Sequence, residues 1–270
     1  MRGFYSREEI AQIAETVLGE LLPGGSVQHP YTQSAVQNYK IGSRLQTPDG
    51  LVWHYAKASP AGVTAAYRRR GVASVVLAQN FKVLAIAPIG ATTLVINDTA
   101  LATVHPADYW AKGHASIFPL PGYANDQPRM IKSSTAGNGV SVTLTLYYPI
   151  DYALAINDDV YCCPSPYRSV CEAVSVPGGA QSIVGFAWMA LTPLYYAWLQ
   201  TWGLCQPVAT GGDQGITAGG REIFFNYGDG TTFSGPATAF GASQRAGFLV
   251  PQSILAPGGD ESYLMLQLDP

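Results

Sequence analysis

Short apolar runs recur along this chain roughly eight to twelve residues apart, and glycine or proline stands in nearly every gap. Pro48-Asp49-Gly50 and Pro88-Ile89-Gly90 punctuate the first half; Gly178-Gly179, Gly211-Gly212, Gly219-Gly220, Gly228, Gly230 and Gly258-Gly259 punctuate the second. Runs this short suit strands, and the helical patterns that would separate the strands of βαβ units are missing. The spacing therefore predicts a mainly β chain built as sandwich- or barrel-like units. The sharpest strand is Val140 to Tyr147, in which Val140, Val142, Leu144 and Leu146 alternate with Ser141, Thr143, Thr145 and Tyr147. A period of two gives that strand one dry face and one wet face.

At 270 residues the chain is long enough for two small cores. We expect an arm over residues 1–37, a first β unit over 38–166 and a second over 167–270. Charged residues are 12% of the chain, about half the usual share, and the 47% hydrophobic fraction is too high for an unfolded one. The net charge of -3 offers no basic surface for nucleic acid, and Arg68-Arg69-Arg70 is a short isolated run. The longest apolar stretch, Ile183 to Leu199, is broken by Pro193, so no membrane span is expected. The opening MRGFYSREE lacks the apolar core of a secretory signal, which suggests a chain kept in a cytosol.

One helix is expected, over Ser6 to Leu22. Ser6 and Glu9 have the spacing of a capping box, Ile10, Ile13, Val17, Leu18 and Leu21 form one stripe, and Pro23-Gly24-Gly25 ends it. A lone helix cannot bury its stripe by itself, so those five residues are candidates for docking on the β core or on another subunit.

The chemical motifs are absent from the sequence. None of His29, His54, His105 and His114 lies in a metal or triad signature, and the Gly211 to Gly220 loop lacks the Lys-Ser/Thr pair that grips phosphate. Cys162, Cys163, Cys171 and Cys205 contain no C-x-x-C, so no metal and no cofactor are expected, and the cysteines are read as free thiols. Asp158, Asp159, Asp213, Asp229 and Asp260 sit in turn-like segments, where a carboxylate has local hydrogen-bonding reasons to stand. No catalytic residue is assigned. The densest aromatic group is Trp188, Tyr195, Tyr196, Trp198 and Trp202; on an alternating strand Tyr196, Trp198 and Trp202 would share one face. Such a row fills a core, lines a subunit interface or binds sugar rings. Trp53, beside His54 on the strand after the Pro48-Asp49-Gly50 turn, joins Tyr196, Trp198 and Trp202 as a candidate interface residue.

Those stretches carry a resemblance. Thr47-Pro48-Asp49-Gly50 followed by Tyr55, then Thr93 to Ala100, Met130 to Ser133, Val142 to Leu146, Val184 to Ala187 and Tyr196 to Cys205 resemble virion proteins of tailed bacteriophages. The second half is similar to capsid decoration, or cement, proteins. The resemblance implies a structural, non-enzymatic role on the outside of the head, the major capsid protein as partner, a homotrimer, and a virion assembled in the host cytoplasm. A tail or fibre protein that binds host-surface glycans through the aromatic patch is the alternative.

Overall fold

A computed structural model describes residues 25–64, 69–74, 76, 78–97, 105–119, 125–173, 182–208, 222–226, 228–234, 244–250 and 263–270. The helix expected over Ser6 to Leu22, with Ile10, Ile13, Val17, Leu18 and Leu21, lies outside the described residues. The strands run β1 (Gln33–Ser34), β2 (Arg44–Gln46), β3 (Val52–Lys57), β4 (Arg70–Ser74), β5 (Gln79–Lys82) and β6 (Thr93–Asn97). Next come β7 (His114–Phe118), β8 (Gln127–Ser134), β9 (Ser141–Leu146), β10 (Asp159–Cys163), β11 (Val170–Glu172) and β12 (Ser182–Ala187). The last are β13 (Tyr196–Cys205), β14 (Glu222–Phe225), β15 (Thr232–Ser234), β16 (Gln244–Leu249) and β17 (Leu264–Gln267). The chain is mainly β, in two curled antiparallel sheets.

Two compact units hold one sheet each: Met1–Val75 with Tyr167–Pro270, and Val76–Pro166. The expected division placed residues 38–75 with the middle of the chain, and the hydrogen bonds place them elsewhere. β2 pairs with β3, β3 with β13, and β4 with β11 and β12. Ala56, Val63 and Val72 accordingly share a core with Val170, Leu191 and Leu199.

In the Val76–Pro166 unit the strand order is β5-β10-β7-β8-β9-β6. A bridge between Val83 and Ile96, with Leu84 N donating to Val95 O at 2.9 Å, brings the two ends of that order together. Curling of this kind covers the sheet edges and leaves one interior. Alternation fills it: Leu94 and Ile96 from β6, Ala115 and Ile117 from β7, Val142, Leu144 and Leu146 from β9, Val160 and Cys162 from β10, all around Trp110. Val140 was expected on the dry face and is exposed instead. Asn138 Oδ1 accepts from both Val140 N (2.8 Å) and Ser141 N (2.7 Å), so the turn lasts through Val140 and alternation starts at Ser141.

The other unit is organised on β13, ten residues long, which pairs with β1, β3, β12 and β17. The ladder with β3 runs across Trp202 with a bulge at Thr201, between Gln200 opposite Trp53 and Trp202 opposite Val52. The Pro48-Asp49-Gly50 turn closes the β2–β3 hairpin. Gly50 N donates to Thr47 O and Thr47 N to Leu51 O, both at 2.9 Å, and Gly50 takes a φ of 82°. This is the three-residue hairpin loop, with glycine at the left-handed position.

A second turn is strained. Tyr195 N donates to Thr192 O at 3.1 Å, closing Thr192-Pro193-Leu194-Tyr195, and Leu194 holds a φ of 65° where glycine is favoured. Its side chain is 51% exposed, so little packing offsets the strain. Leu194→Gly is expected to raise stability by about 0.5–1 kcal/mol, after allowing for the greater freedom of glycine in the unfolded chain. A urea midpoint that does not rise would show that the leucine makes a compensating contact.

Candidate apolar contact surface

Among the described residues, a run of exposed apolar side chains stands out in the Val76–Pro166 unit. Residues 83–91 contain no charge and residues 147–157 contain one, Asp151. The two segments hydrogen-bond as an irregular antiparallel ribbon. Ala87 N donates to Leu154 O (3.1 Å), Leu154 N to Ala87 O (2.8 Å), Gly90 N to Ile150 O (2.9 Å) and Asn157 N to Val83 O (2.9 Å). Val83, Ala87, Ile150 and Leu154 turn inward and enter the core. The outward set is Ile86 (72% exposed), Tyr148 (70%), Ile89 (68%), Ile156 (54%) and Tyr152 (47%).

Polar anchors hold the ribbon from below. Buried Gln127 accepts from Asp151 N (2.7 Å) and Tyr152 N (3.2 Å) through Oε1, and its Nε2 donates to Tyr152 O (3.2 Å). Arg129 donates to Pro149 O at 2.8 Å and pairs with the Asp151 carboxylate, which neutralises the one charge on the ribbon. Asp158 Oδ2 accepts from Ala155 N at 2.8 Å and caps the last turn. An apolar surface fixed in place by a network of hydrogen bonds is shaped for contact with another apolar surface. Sequence reasoning missed it. The available signal was isoleucine and tyrosine beside proline in charge-free turns.

The aromatic candidates have a different fate. Trp53 and Trp198 are buried with Tyr39, Tyr55 and Leu45, and Tyr196 packs half-buried against them. Gln28 knits this core together: Oε1 accepts from Tyr55 OH and Asn38 Nδ2, both at 3.0 Å, Nε2 donates to Tyr196 O at 3.0 Å, and its carbonyl accepts from Trp198 Nε1 at 3.1 Å. Burial pushes the Tyr55 hydroxyl pKa well up. Trp202 is half-buried and does not share the face of Tyr196 and Trp198, because the Thr201 bulge pairs it with Val52 while Trp198 pairs with Tyr55. Trp198→Ala would therefore empty a core position rather than remove a sugar platform.

One arrangement has the look of a catalytic trio. His54 Nδ1 lies 3.1 Å from Thr201 Oγ1 and Nε2 lies 3.6 Å from Asp269 Oδ2, while Tyr167 stacks on the imidazole at 4.7 Å between centroids. Thr201 spends its proton on Asp269 O (2.6 Å), so His54 donates to it. The hydroxyl is buried and already committed. Tyr167 OH donates to Asp269 Oδ2 at 2.9 Å, and Leu268 N donates to Thr201 O at 3.0 Å, so the trio fastens the residues after β17 onto β13.

The remaining candidates are structural too. Asp159 pairs with Lys82 at 2.6 Å, Asp229 accepts from Thr231 N (3.0 Å) and faces Arg70 at 3.6 Å, and Asp213 and Asp260 lie outside the described residues. Arg69 Nε donates to Gln206 O, just past β13, at 2.9 Å, so both Arg69 and Arg70 hold connecting segments of their own unit. Among the described residues no three His, Cys, Asp or Glu side chains converge as a metal site, and no helix is long and apolar enough to cross a membrane. No family model, curated protein or solved structure matches the chain.

Proposed function

We propose that the chain is a structural component of a tailed-phage virion, a decoration protein that binds the outside of the head and stabilises the shell. Its partners are the major capsid protein and neighbouring copies. The observation that supports this best is the apolar ribbon: five large side chains held outward, with their one carboxylate neutralised, on a charge-poor β scaffold. A protein that reinforces a shell gains from many small apolar seams, each worth about 25 cal/mol per Å² before the cost of association. Repetition by symmetry then shifts assembly toward the closed particle.

Quantitative peptide mass spectrometry of purified virions tests the reading. Copies comparable to the major capsid protein, or a simple fraction of it, are expected. A far smaller number moves the protein to the tail or fibres, and absence from the particle rejects a virion role.

A further inference from the structure

We infer that the ribbon of residues 83–91 and 147–157 is a two-fold self-association surface, occupied by the same ribbon of a second copy of this chain. This rests on the reading of the ribbon as a contact surface and names the partner. The exposed area suits a stable contact. Ile86, Ile89, Tyr148, Tyr152 and Ile156 together expose roughly 600 Å², close to the ~800 Å² per partner that a stable interface buries and at the top of what a monomer ordinarily leaves open. Leu84 and Tyr147, also exposed, extend the rim.

The charges of the ribbon are paired within it or at its margin. Asp151 is paired with Arg129, Asp159 with Lys82, and Asp158 is buried in its own turn. Lys112 stands over the Tyr147 ring at 5.5 Å, at one margin. The centre of the ribbon thus carries no net charge, so a copy of itself meets no repulsion, whereas an acidic or basic partner would find nothing to pair with. A two-fold contact also lets isoleucines of one copy meet tyrosines of the other in both directions, which is how an isologous patch complements itself. Two antiparallel segments rich in both residue types supply the pattern.

Sedimentation equilibrium of the full chain across a concentration series, at neutral pH, is the test. A mass of twice 28.7 kDa at micromolar concentration is expected for the parent. Ile86→Asp combined with Ile89→Asp places two charges where water is to be excluded, and should raise the dissociation constant at least ~100-fold, to a monomer. Both side chains are mostly exposed, so at concentrations low enough for the parent to be monomeric the urea midpoint of that variant should match the parent. Val36→Asp, at an exposed valine of the other unit, should leave the dimer intact.

A parent that is monomeric at every concentration, a mass of three copies, or a dimer broken by Val36→Asp but not by the ribbon variant would overturn the inference. The virion count is read separately. A monomer abundant in particles would keep the decoration reading and reject the dimer, and a dimer absent from particles would do the reverse.

Discussion

Gly247→Ala is expected to remove the folded state of the Met1–Val75 and Tyr167–Pro270 unit, costing about 4 kcal/mol or more, a large part of an ordinary domain's stability. A Cβ at this position would stand 1.9 Å from Met265 O, a backbone atom that cannot rotate away. Nor can β16 step back, since it hydrogen-bonds β14 on one side and β17 on the other. The neighbouring residue, Ala246, is the extra residue of a bulge and is fully buried, and glycine follows it with a φ of 152°, a conformation other residues rarely adopt. Opening the β16–β17 ladder is the remaining response, and it exposes Leu264 and Leu266 from the core. Gly50→Ala is the control: its φ of 82° is also left-handed, but open space surrounds the new methyl, so only about 1 kcal/mol of backbone strain should appear. Urea unfolding of the two variants checks both. A Gly247→Ala protein within about 1 kcal/mol of the parent would mean that β16 and β17 do not approach as described.

What could be read from the sequence was what neighbouring residues decide. The Thr47-Pro48-Asp49-Gly50 turn carries its own chemistry, and Val142, Leu144 and Leu146 carry their own alternation; both stand in the structure where the pattern put them. What depended on distant residues was not readable. Val52–Lys57 pairs with Tyr196–Cys205, far along the chain, and no local pattern records that choice, so the 38–75 segment was assigned to the wrong neighbours. β10 was missed because Asn157-Asp158-Asp159 reads as a bend, yet Val160 and Cys162 behind it alternate into the core. The bulge at Thr201 has no compositional mark, and it alone separates the faces of Trp198 and Trp202.

The contact surface was hidden for a related reason. Along the ribbon the buried positions are Val83 and Ala87, then Ile150 and Leu154, each pair separated by three exposed residues, so the every-second-residue alternation that marks a half-buried strand is missing. Ile86, Ile89, Tyr148, Tyr152 and Ile156 therefore read as ordinary turn residues with apolar neighbours. Conversely, of the tryptophans that drew attention in the sequence, Trp53 and Trp198 are buried in the core and Trp188 and Trp202 are half-buried.

Raising the pH from 8 to 12 should unfold both units, since burial has shifted several weak acids in the same direction. Burial pushes the Cys205 thiol from 9.0 up to about 12, and pushes Cys162 up more strongly, with the neighbouring Cys163 adding to it. Tyr39 and Tyr55 are also raised by burial, and Tyr167 is raised by burial and then by the Asp269 carboxylate it bonds. Each of these groups is neutral when protonated, so a raised folded-state value means that the unfolded chain releases its proton first. Their stabilising contribution is complete below the unfolded values and is lost as pH rises through the folded ones. For Cys205 the window runs from 9.0 to about 12 and is worth roughly 4 kcal/mol. Cys162 acts in the Val76–Pro166 unit and Cys205 in the other, so neither unit is spared. The urea midpoint should hold near pH 8 and fall steeply above pH 9, with one proton less of slope in Cys205→Ala. A midpoint flat to pH 11 would mean that these thiols and phenols reach water in the folded protein, against the burial that defines both cores.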